Sequence, residues 1–83
     1  MSEDLAHTPK HLGAVIQRQR REKSFTQGEL GERAGLRQET ISNIERGENA
    51  RLESPVAVLA ALDLELTLRP RSRAEPSDIA DMF

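Results

Sequence analysis

The chain has 83 residues and contains no cysteine, tryptophan or tyrosine. This length allows one small domain with a limited core, and the lack of cysteine excludes disulfides and Cys-ligated zinc, so we expect aliphatic packing and a second subunit to stabilise the fold. No apolar segment approaches the ~20 residues that span a bilayer, and the polar start MSEDLAHTPK is unlike a signal peptide, which predicts a cytoplasmic protein.

Charge is distributed unevenly along the chain. The formal net charge is -2, but residues 10 to 46 carry eight basic and five acidic side chains, which gives +3. The remainder carries four basic and nine acidic side chains, which gives -5. This division is typical of a DNA-binding body with acidic flanks, and it is equally compatible with a mixed solvated surface.

The first predicted helix begins at Thr8 and Pro9. A threonine hydroxyl can cap the free amides of a helix, and proline is tolerated at the first helical position because no intrahelical bond is lost there. Leu12 and Ile16 follow at helical spacing on one face. The pattern predicts a helix that continues to about Lys23.

A second helix is predicted over residues 26 to 34. In the stretch T-Q-G-E, Thr26 stands three residues before Glu29, which is the spacing of a capping box, and the preceding phenylalanine can act as the hydrophobic staple. Two glycines inside this helix each cost ~1 kcal/mol relative to alanine. Gly31 is expected to permit a close approach between helix backbones, whereas the sequence offers no reason for Gly28.

A third helix follows a glycine-containing turn. Gly35 supplies the left-handed conformation that ends helix 2, and helix 3 is predicted from near Gln38 to Gly47. At 100° per residue, Ile41 and Ile44 face inward. The opposite side is polar and comprises Glu39, Thr40, Ser42, Asn43 and Arg46. Two short helices joined in this way form a helix-turn-helix.

The segment ENARLESPVAVLAALDL predicts a fourth helix that ends near Asp63. Its inner face is expected to comprise Val56, Leu59, Ala60 and Leu62. Pro55 would interrupt a helix that began at Arg51, but with Ser54 as the cap it would occupy the first helical position. We therefore expect a late or irregular start.

After Asp63 the hydrophobic period changes from helical to alternating. Leu64, Leu66 and Leu68 alternate with Glu65, Thr67 and Arg69, which predicts a half-buried strand over residues 64 to 69. A single strand in a helical chain has no partner within that chain, so we expect it to pair with the same strand of a second copy. The alternative is a segment that folds over its own core.

The sequence thus predicts an all-α domain of four to five helices with one C-terminal strand. We divide it into a flexible N-terminus (residues 1 to 7), a helix-turn-helix domain (8 to 63), the dimerisation strand (64 to 69) and a flexible acidic and apolar tail (70 to 83). The tail lacks the apolar content for a core. Its Ile79, Met82 and Phe83 either dock onto a partner or have no role.

The polar side of helix 3 suits the major groove of DNA, where each base pair displays a distinct pattern of donors and acceptors. Gln38 can pair bidentately with adenine, Arg37 can take guanine or a phosphate, and Gln27 at the start of helix 2 is placed for a phosphate. Glu39 is unfavourable near phosphates unless it accepts from cytosine. The candidate DNA-binding residues are Gln27, Arg37, Gln38, Glu39, Thr40, Ser42, Asn43 and Arg46.

The stretch FTQGELGERAGLRQETISNIERG resembles the helix-turn-helix of the phage-repressor (Xre/Cro) family. The matching positions are Thr26, Gln27, Leu30, Gly35, Gln38, Ile41, Ser42, Glu45 and Gly47. The resemblance implies a lambda-repressor-like DNA-binding domain with Gln27 on a phosphate and Gln38 on a base. It also implies a structural ion pair between Arg20 and Glu45, which would fix helix 3 to helix 1.

A narrower resemblance extends to ARLESPVAVLAALDLELTLRPRS, which is similar to the helix-plus-strand ending of HipB-like antitoxins. That resemblance implies a homodimer that shares an intermolecular sheet, a HipA-like serine/threonine kinase toxin as partner, and repression of its own operon at a two-fold operator. The expected location is cytoplasmic and associated with the nucleoid. Gly28, Gly31 and Pro55 depart from the helix formers usual in the family.

Three alternatives remain at the level of sequence. The chain could be a free-standing Xre-type repressor with no toxin, or a helix-turn-helix reused to bind protein. Residues 26 to 46 could also be a helical hairpin with an ordinary solvated face. His7 and His11 do not share a helical face and lack further ligands, so we expect no metal, and no nucleophile or pocket supports an enzyme or a cofactor.

Overall fold

The computed structural model describes residues 5 to 48 and 51 to 70. Within these ranges the chain forms four α-helices: α1 (Pro9–Glu22), α2 (Gln27–Ala34), α3 (Gln38–Glu45) and α4 (Glu53–Ala61). The helices agree with the four predicted from the sequence, and no helix end differs from its predicted position by more than two residues. None of the helices in the described part is long and apolar enough to cross a membrane.

The predicted signals for helix starts are confirmed at α1 and α2. The Thr8 hydroxyl accepts a hydrogen bond from the backbone N–H of His11 at 3.0 Å, with proline in the first turn. At α2 the Thr26 hydroxyl accepts from the Glu29 backbone N–H at 3.0 Å, and the Glu29 carboxylate accepts from the Thr26 backbone N–H at 2.8 Å. These reciprocal bonds form the capping box and satisfy amides that a helix start leaves free.

The core lies where all four helices meet. Among the described residues, seven apolar ones are buried there: Ile16, Leu30, Ile41, Ile44, Val58, Leu59 and Leu62. Partly buried residues pack around them: Leu12, Phe25, Ala34, Leu36, Ala61 and Leu64. The two isoleucines of α3 are therefore inward, as their spacing predicts.

The packing of α1 against α3 is close enough to require a glycine. A Cβ atom built on Gly13 would lie 2.4 Å from the carbonyl oxygen of Ile44 and 2.5 Å from that of Glu45. Both atoms belong to the backbone, so neither can rotate away. Gly13 thus permits contact between two helix backbones, a role that its position in the sequence did not indicate.

The start and the inner face of α4 correct the sequence prediction. The helix begins at Glu53 after Leu52, which already has a helical backbone conformation, so Ser54 is not the cap and Pro55 is the third helical residue. No bond is lost there, because the first amides of a helix have no intrahelical acceptor. Val56 is 44% exposed, whereas Val58 is fully buried. Since α4 is apolar on all sides, its periodicity could not identify the buried face.

The predicted strand is not confirmed. Residues 64 to 70 have no regular secondary structure, and the described part of the chain contains no strand. Leu64 packs against the core, while Leu66 and Leu68 are 59% and 89% exposed. A strand is defined by a ladder of hydrogen bonds, and pairing with a second copy would have to supply that ladder. Residues 71 to 83, with Ile79, Met82 and Phe83, lie outside the described residues, as do residues 1 to 4.

Candidate nucleic-acid interface

The turn between α2 and α3 fixes the angle at which α3 is presented. Gly35 has a left-handed φ of 72°, and the backbone N–H of Leu36 donates to the Gly31 carbonyl at 2.8 Å. A Cβ atom on Gly31 would lie 2.7 Å from the Leu36 carbonyl oxygen. The expected close approach at Gly31 is therefore present, but its neighbour is the turn backbone rather than a second helix.

One side of α3 is buried and the other faces solvent. Ile41, Ile44 and Glu45 are buried. The candidate DNA-binding residues of α3 and its flanks lie on the outer side. Of these, Arg37, Gln38, Glu39 and Arg46 are exposed, and Thr40, Ser42 and Asn43 are half-buried. All seven residues are thus at least partly accessible to solvent along α3 and its flanks, and we call the surface they form the outer face of α3.

A buried carboxylate joins three helices behind this face. Arg20 of α1 donates to Glu45 of α3 through Nε at 2.6 Å and Nη2 at 3.2 Å, and its Nη1 donates to the Phe25 carbonyl at 2.8 Å. The side chains of Arg20 and Glu45 are 10% and 2% exposed. Bidentate, charge-assisted bonds of this kind fix orientation as well as distance. The expected contact between Arg20 and Glu45 is present in the structure.

The Gln27 side chain contacts the buried Glu45 carboxylate instead of pointing freely into solvent. Its Nε2 donates to the Glu45 carboxylate at 3.1 Å, which adds α2 to the same network. An amide nitrogen has two N–H groups, so this bond uses one of them. The start of α2 also lies beside the start of α3, because a Cβ atom on Gly28 would be 3.6 Å from Gln38 Oε1. Gln27 and Gln38 therefore lie at neighbouring helix starts.

Arg46 forms a hydrogen-bond network at the C-terminal end of the outer face. Its guanidinium donates to Ser42 Oγ at 2.7 Å, to the Asn43 side-chain carbonyl at 2.5 Å and to the Glu48 carboxylate at 3.1 Å. The hydrogen bond from Arg46 lowers the pKa of Glu48, and the same bond raises the pKa of Arg46. Glu48 and this network were not anticipated from the sequence, because residues two apart do not face each other on a helix and Glu48 lies beyond the end of α3.

Glu39 has a structural reason for its position. It lies in the first turn of α3, where the partial positive charge of the helix start favours a carboxylate.

A further contact that the sequence did not indicate is the stacking of the Arg33 guanidinium over the Phe25 ring, 4.3 Å from the centroid. This cation–π contact helps to seat Phe25 between α1 and α2.

Residues 5 to 48 and 51 to 70 contain no cluster of three or more His, Cys, Asp or Glu side chains that could hold a metal ion. An open groove of about 490 Å³ lies beside the C-terminal end of α3, and its lining includes Leu12, Glu48, Leu52, Pro55 and Leu66. Its walls are mainly apolar, and two of its leucines are among the exposed large hydrophobic residues.

The four helices, the tight turn and the polar outer face define a helix-turn-helix protein. Comparison with known families agrees, since the helix-turn-helix family matches residues 16 to 68. Antitoxin HipB of Escherichia coli (strain K12) is 32% identical over 77 residues, which is 92% of this chain and 88% of that protein. The uncharacterized HTH-type transcriptional regulator y4dL of Sinorhizobium fredii (strain NBRC 101917 / NGR234) is 40% identical over 68 residues, or 81% of this chain and 35% of that protein.

Solved structures show the same similarity. The structure described as "HipB-O4 20mer complex" superposes with a TM-score of 0.76 at 30% identity, covering 82% of this chain and 97% of that chain. "Structure of HipA-HipB-O2-O3 complex" gives a TM-score of 0.75 at 30% identity, with 82% and 97% covered. The chain belongs to the HipB-like antitoxins of the helix-turn-helix family.

Proposed function

We propose that the protein is a sequence-specific DNA-binding repressor and the antitoxin of a type II toxin-antitoxin pair. In this role it neutralises a HipA-like serine/threonine kinase and represses its own operon. The observation that carries the proposal is the outer face of α3, a polar surface fixed to the core from behind by Glu45. Repression by occupancy of DNA needs no catalysis by this chain.

The contacts we propose follow from the placement of α3 in the major groove. Gln38 reads adenine, and the neighbouring Arg37 takes guanine or a phosphate. Gln27 uses its second amide N–H for a phosphate, while the first remains on Glu45. Glu39, near the helix start, accepts from a cytosine amino group where the sequence provides one.

The proposed functional unit is a homodimer. Four large apolar side chains are exposed around α4 and the segment that follows it: Leu52 (74%), Val56 (44%), Leu66 (59%) and Leu68 (89%). A helix that is apolar all round is normally buried, so a second copy is the simplest cover for α4. Residues 64 to 69 form the dimerisation segment, and a two-fold dimer then reads half-sites one or more DNA turns apart, ~34 Å per turn.

The toxin partner rests on the relatives. HipB has been solved together with HipA in a complex that also carries O2 and O3. The tail residues Ile79, Met82 and Phe83 are our candidates for toxin docking. A free-standing repressor would share every DNA contact and lack the kinase, so co-purification with a kinase encoded beside this gene separates the two.

A binding experiment across a salt series tests the DNA-binding proposal. The purified dimer is titrated with duplex DNA from upstream of its own gene and with a random duplex, at several salt concentrations. Tight binding that weakens with salt, with a log-log slope of about -0.9 per phosphate contact, supports the repressor. Equal, salt-independent or undetectable binding to both duplexes contradicts it and favours a protein-binding module, an alternative suggested by the exposed Glu39 on the outer face.

A further inference from the structure

Arg46 is the one member of the outer face whose charge is already engaged by a carboxylate in the described part of the chain. Its guanidinium binds the Ser42 hydroxyl, the Asn43 carbonyl and the Glu48 carboxylate at once. The Arg46 and Glu48 side chains are each 56% exposed, so solvent and ligands can reach the pair.

The three bonds orient the neighbouring polar groups. A guanidinium offers only donors, so Asn43 must turn its carbonyl oxygen toward Arg46 and its amide N–H groups away. Ser42 likewise uses its oxygen as the acceptor, which leaves the hydroxyl hydrogen to donate elsewhere. Both side chains therefore present donors, the chemistry that suits phosphate oxygens and the acceptor atoms of guanine.

The carboxylate of Glu48 completes the set of acceptors around Arg46. A carboxylate and a phosphodiester both offer paired oxygens to a guanidinium. The geometry points to Glu48 as a positioning residue that holds, in the free protein, the place on Arg46 that a DNA phosphate takes in the complex. Glu48 thereby keeps Arg46 extended over Ser42 and Asn43. It also lowers DNA affinity, because DNA binding must displace the Glu48 carboxylate from Arg46 and leave its negative charge near the DNA phosphates.

This inference rests on the proposed DNA binding, and one experiment distinguishes failure of the inference from failure of the proposed function. Wild type, Glu48→Gln, Arg46→Gln and the double variant are titrated with operator and random duplexes across a salt series. Glu53→Gln is the matched control, since Glu53 is also exposed and also faces an arginine two residues earlier, Arg51, at 3.9 Å, and Arg51 is not a member of the outer face of α3. Thermal unfolding of each variant verifies folding.

We expect Glu48→Gln to bind about two- to fivefold more tightly than wild type, the range that an exposed ion pair allows. The gain should be equal for both duplexes, because a phosphate contact carries no sequence information. The salt slope should steepen, by at most ~0.9. In the Arg46→Gln background, adding Glu48→Gln should increase DNA affinity by no more than the control Glu53→Gln does.

Three results decide the matter. Glu48→Gln binding that matches Glu53→Gln overturns the inference while leaving the repressor intact. A gain that persists without Arg46 also overturns it, because general charge repulsion then explains the effect. Absence of salt-dependent DNA binding by the wild type overturns the proposed function and this inference together.

Discussion

Replacing Gly13 by alanine tests the close contact between α1 and α3. Alanine is favoured over glycine in a helix interior by ~1 kcal/mol, so the helix itself would gain. The added Cβ, however, would lie 2.4 Å and 2.5 Å from two backbone oxygens, and α1 would have to retreat from α3 by about 1 Å to reach ordinary contact. Overpacking usually costs ~1 to 3 kcal/mol, and backbone neighbours place this site at the upper end.

The expected net loss for Gly13→Ala is therefore about 2 kcal/mol. For a domain of this size that loss lowers Tm by roughly 8 to 16 °C. The chain has no tryptophan or tyrosine, so far-UV circular dichroism is the suitable probe. Protein concentration must be held fixed, because the proposed dimer would make Tm depend on it.

Gly28→Ala is the matched control for the same substitution. A Cβ there would meet Gln38 Oε1 at 3.6 Å and Thr26 Oγ1 at 3.8 Å, which are ordinary contacts. Its stability should be unchanged or higher by up to ~1 kcal/mol. The reasoning is refuted if Gly13→Ala melts within 2 °C of wild type, as estimated from about 4 to 8 °C per kcal/mol, or if the two variants shift Tm in the same direction.

Four further predictions concern the ion pair, the interface, the dimer and the capping box. Glu45→Ala leaves Arg20 buried without its partner and should cost ~3 to 5 kcal/mol in urea unfolding; a loss below 1 kcal/mol would contradict a buried pair. Gln38→Ala should cost ~1 to 3 kcal/mol at its cognate base, and unchanged base preference would remove it from the readout. Leu66→Glu should give monomers in sedimentation, since like charges would meet across the two-fold axis, whereas persistent dimers would reject the strand pairing. The Thr26 backbone hydrogen bond lowers the pKa of Glu29 from 4.5, so its stabilisation is present above that pH and is lost on acidification below it; Glu29→Gln should flatten this acid limb of Tm against pH.

The helices could be predicted because their signals are local. Thr8, Thr26 with Glu29, and Gly35 each act within one turn of the chain, and the structure has their bonds and dihedral angles as expected. The inward isoleucines of α3 follow from spacing alone. These short-range rules give the helices, the turn and the polar outer face.

Contacts between distant parts of the chain escaped the sequence analysis. The role of Gly13 depends on where the backbone of α3 lies at Ile44, 31 residues later, and the bond from Gln27 to Glu45 depends on the angle between α2 and α3. In α4 the apolar residues surround the helix, so no period indicated that Val58 rather than Val56 is buried. The strand stays a prediction, because the hydrogen-bonding partner we propose for it is a second chain.

The buried and the exposed residues of α3 have separate roles. Ile41, Ile44 and Glu45 attach the helix to the rest of the domain, whereas Gln38 and Glu39 are exposed and absent from the core. Exposed substitutions usually change stability by less than ~0.5 kcal/mol. If α3 reads DNA as proposed, such a scaffold can acquire a new operator through changes at its exposed positions alone, and related chains can diverge in the DNA they recognise while their folding remains the same.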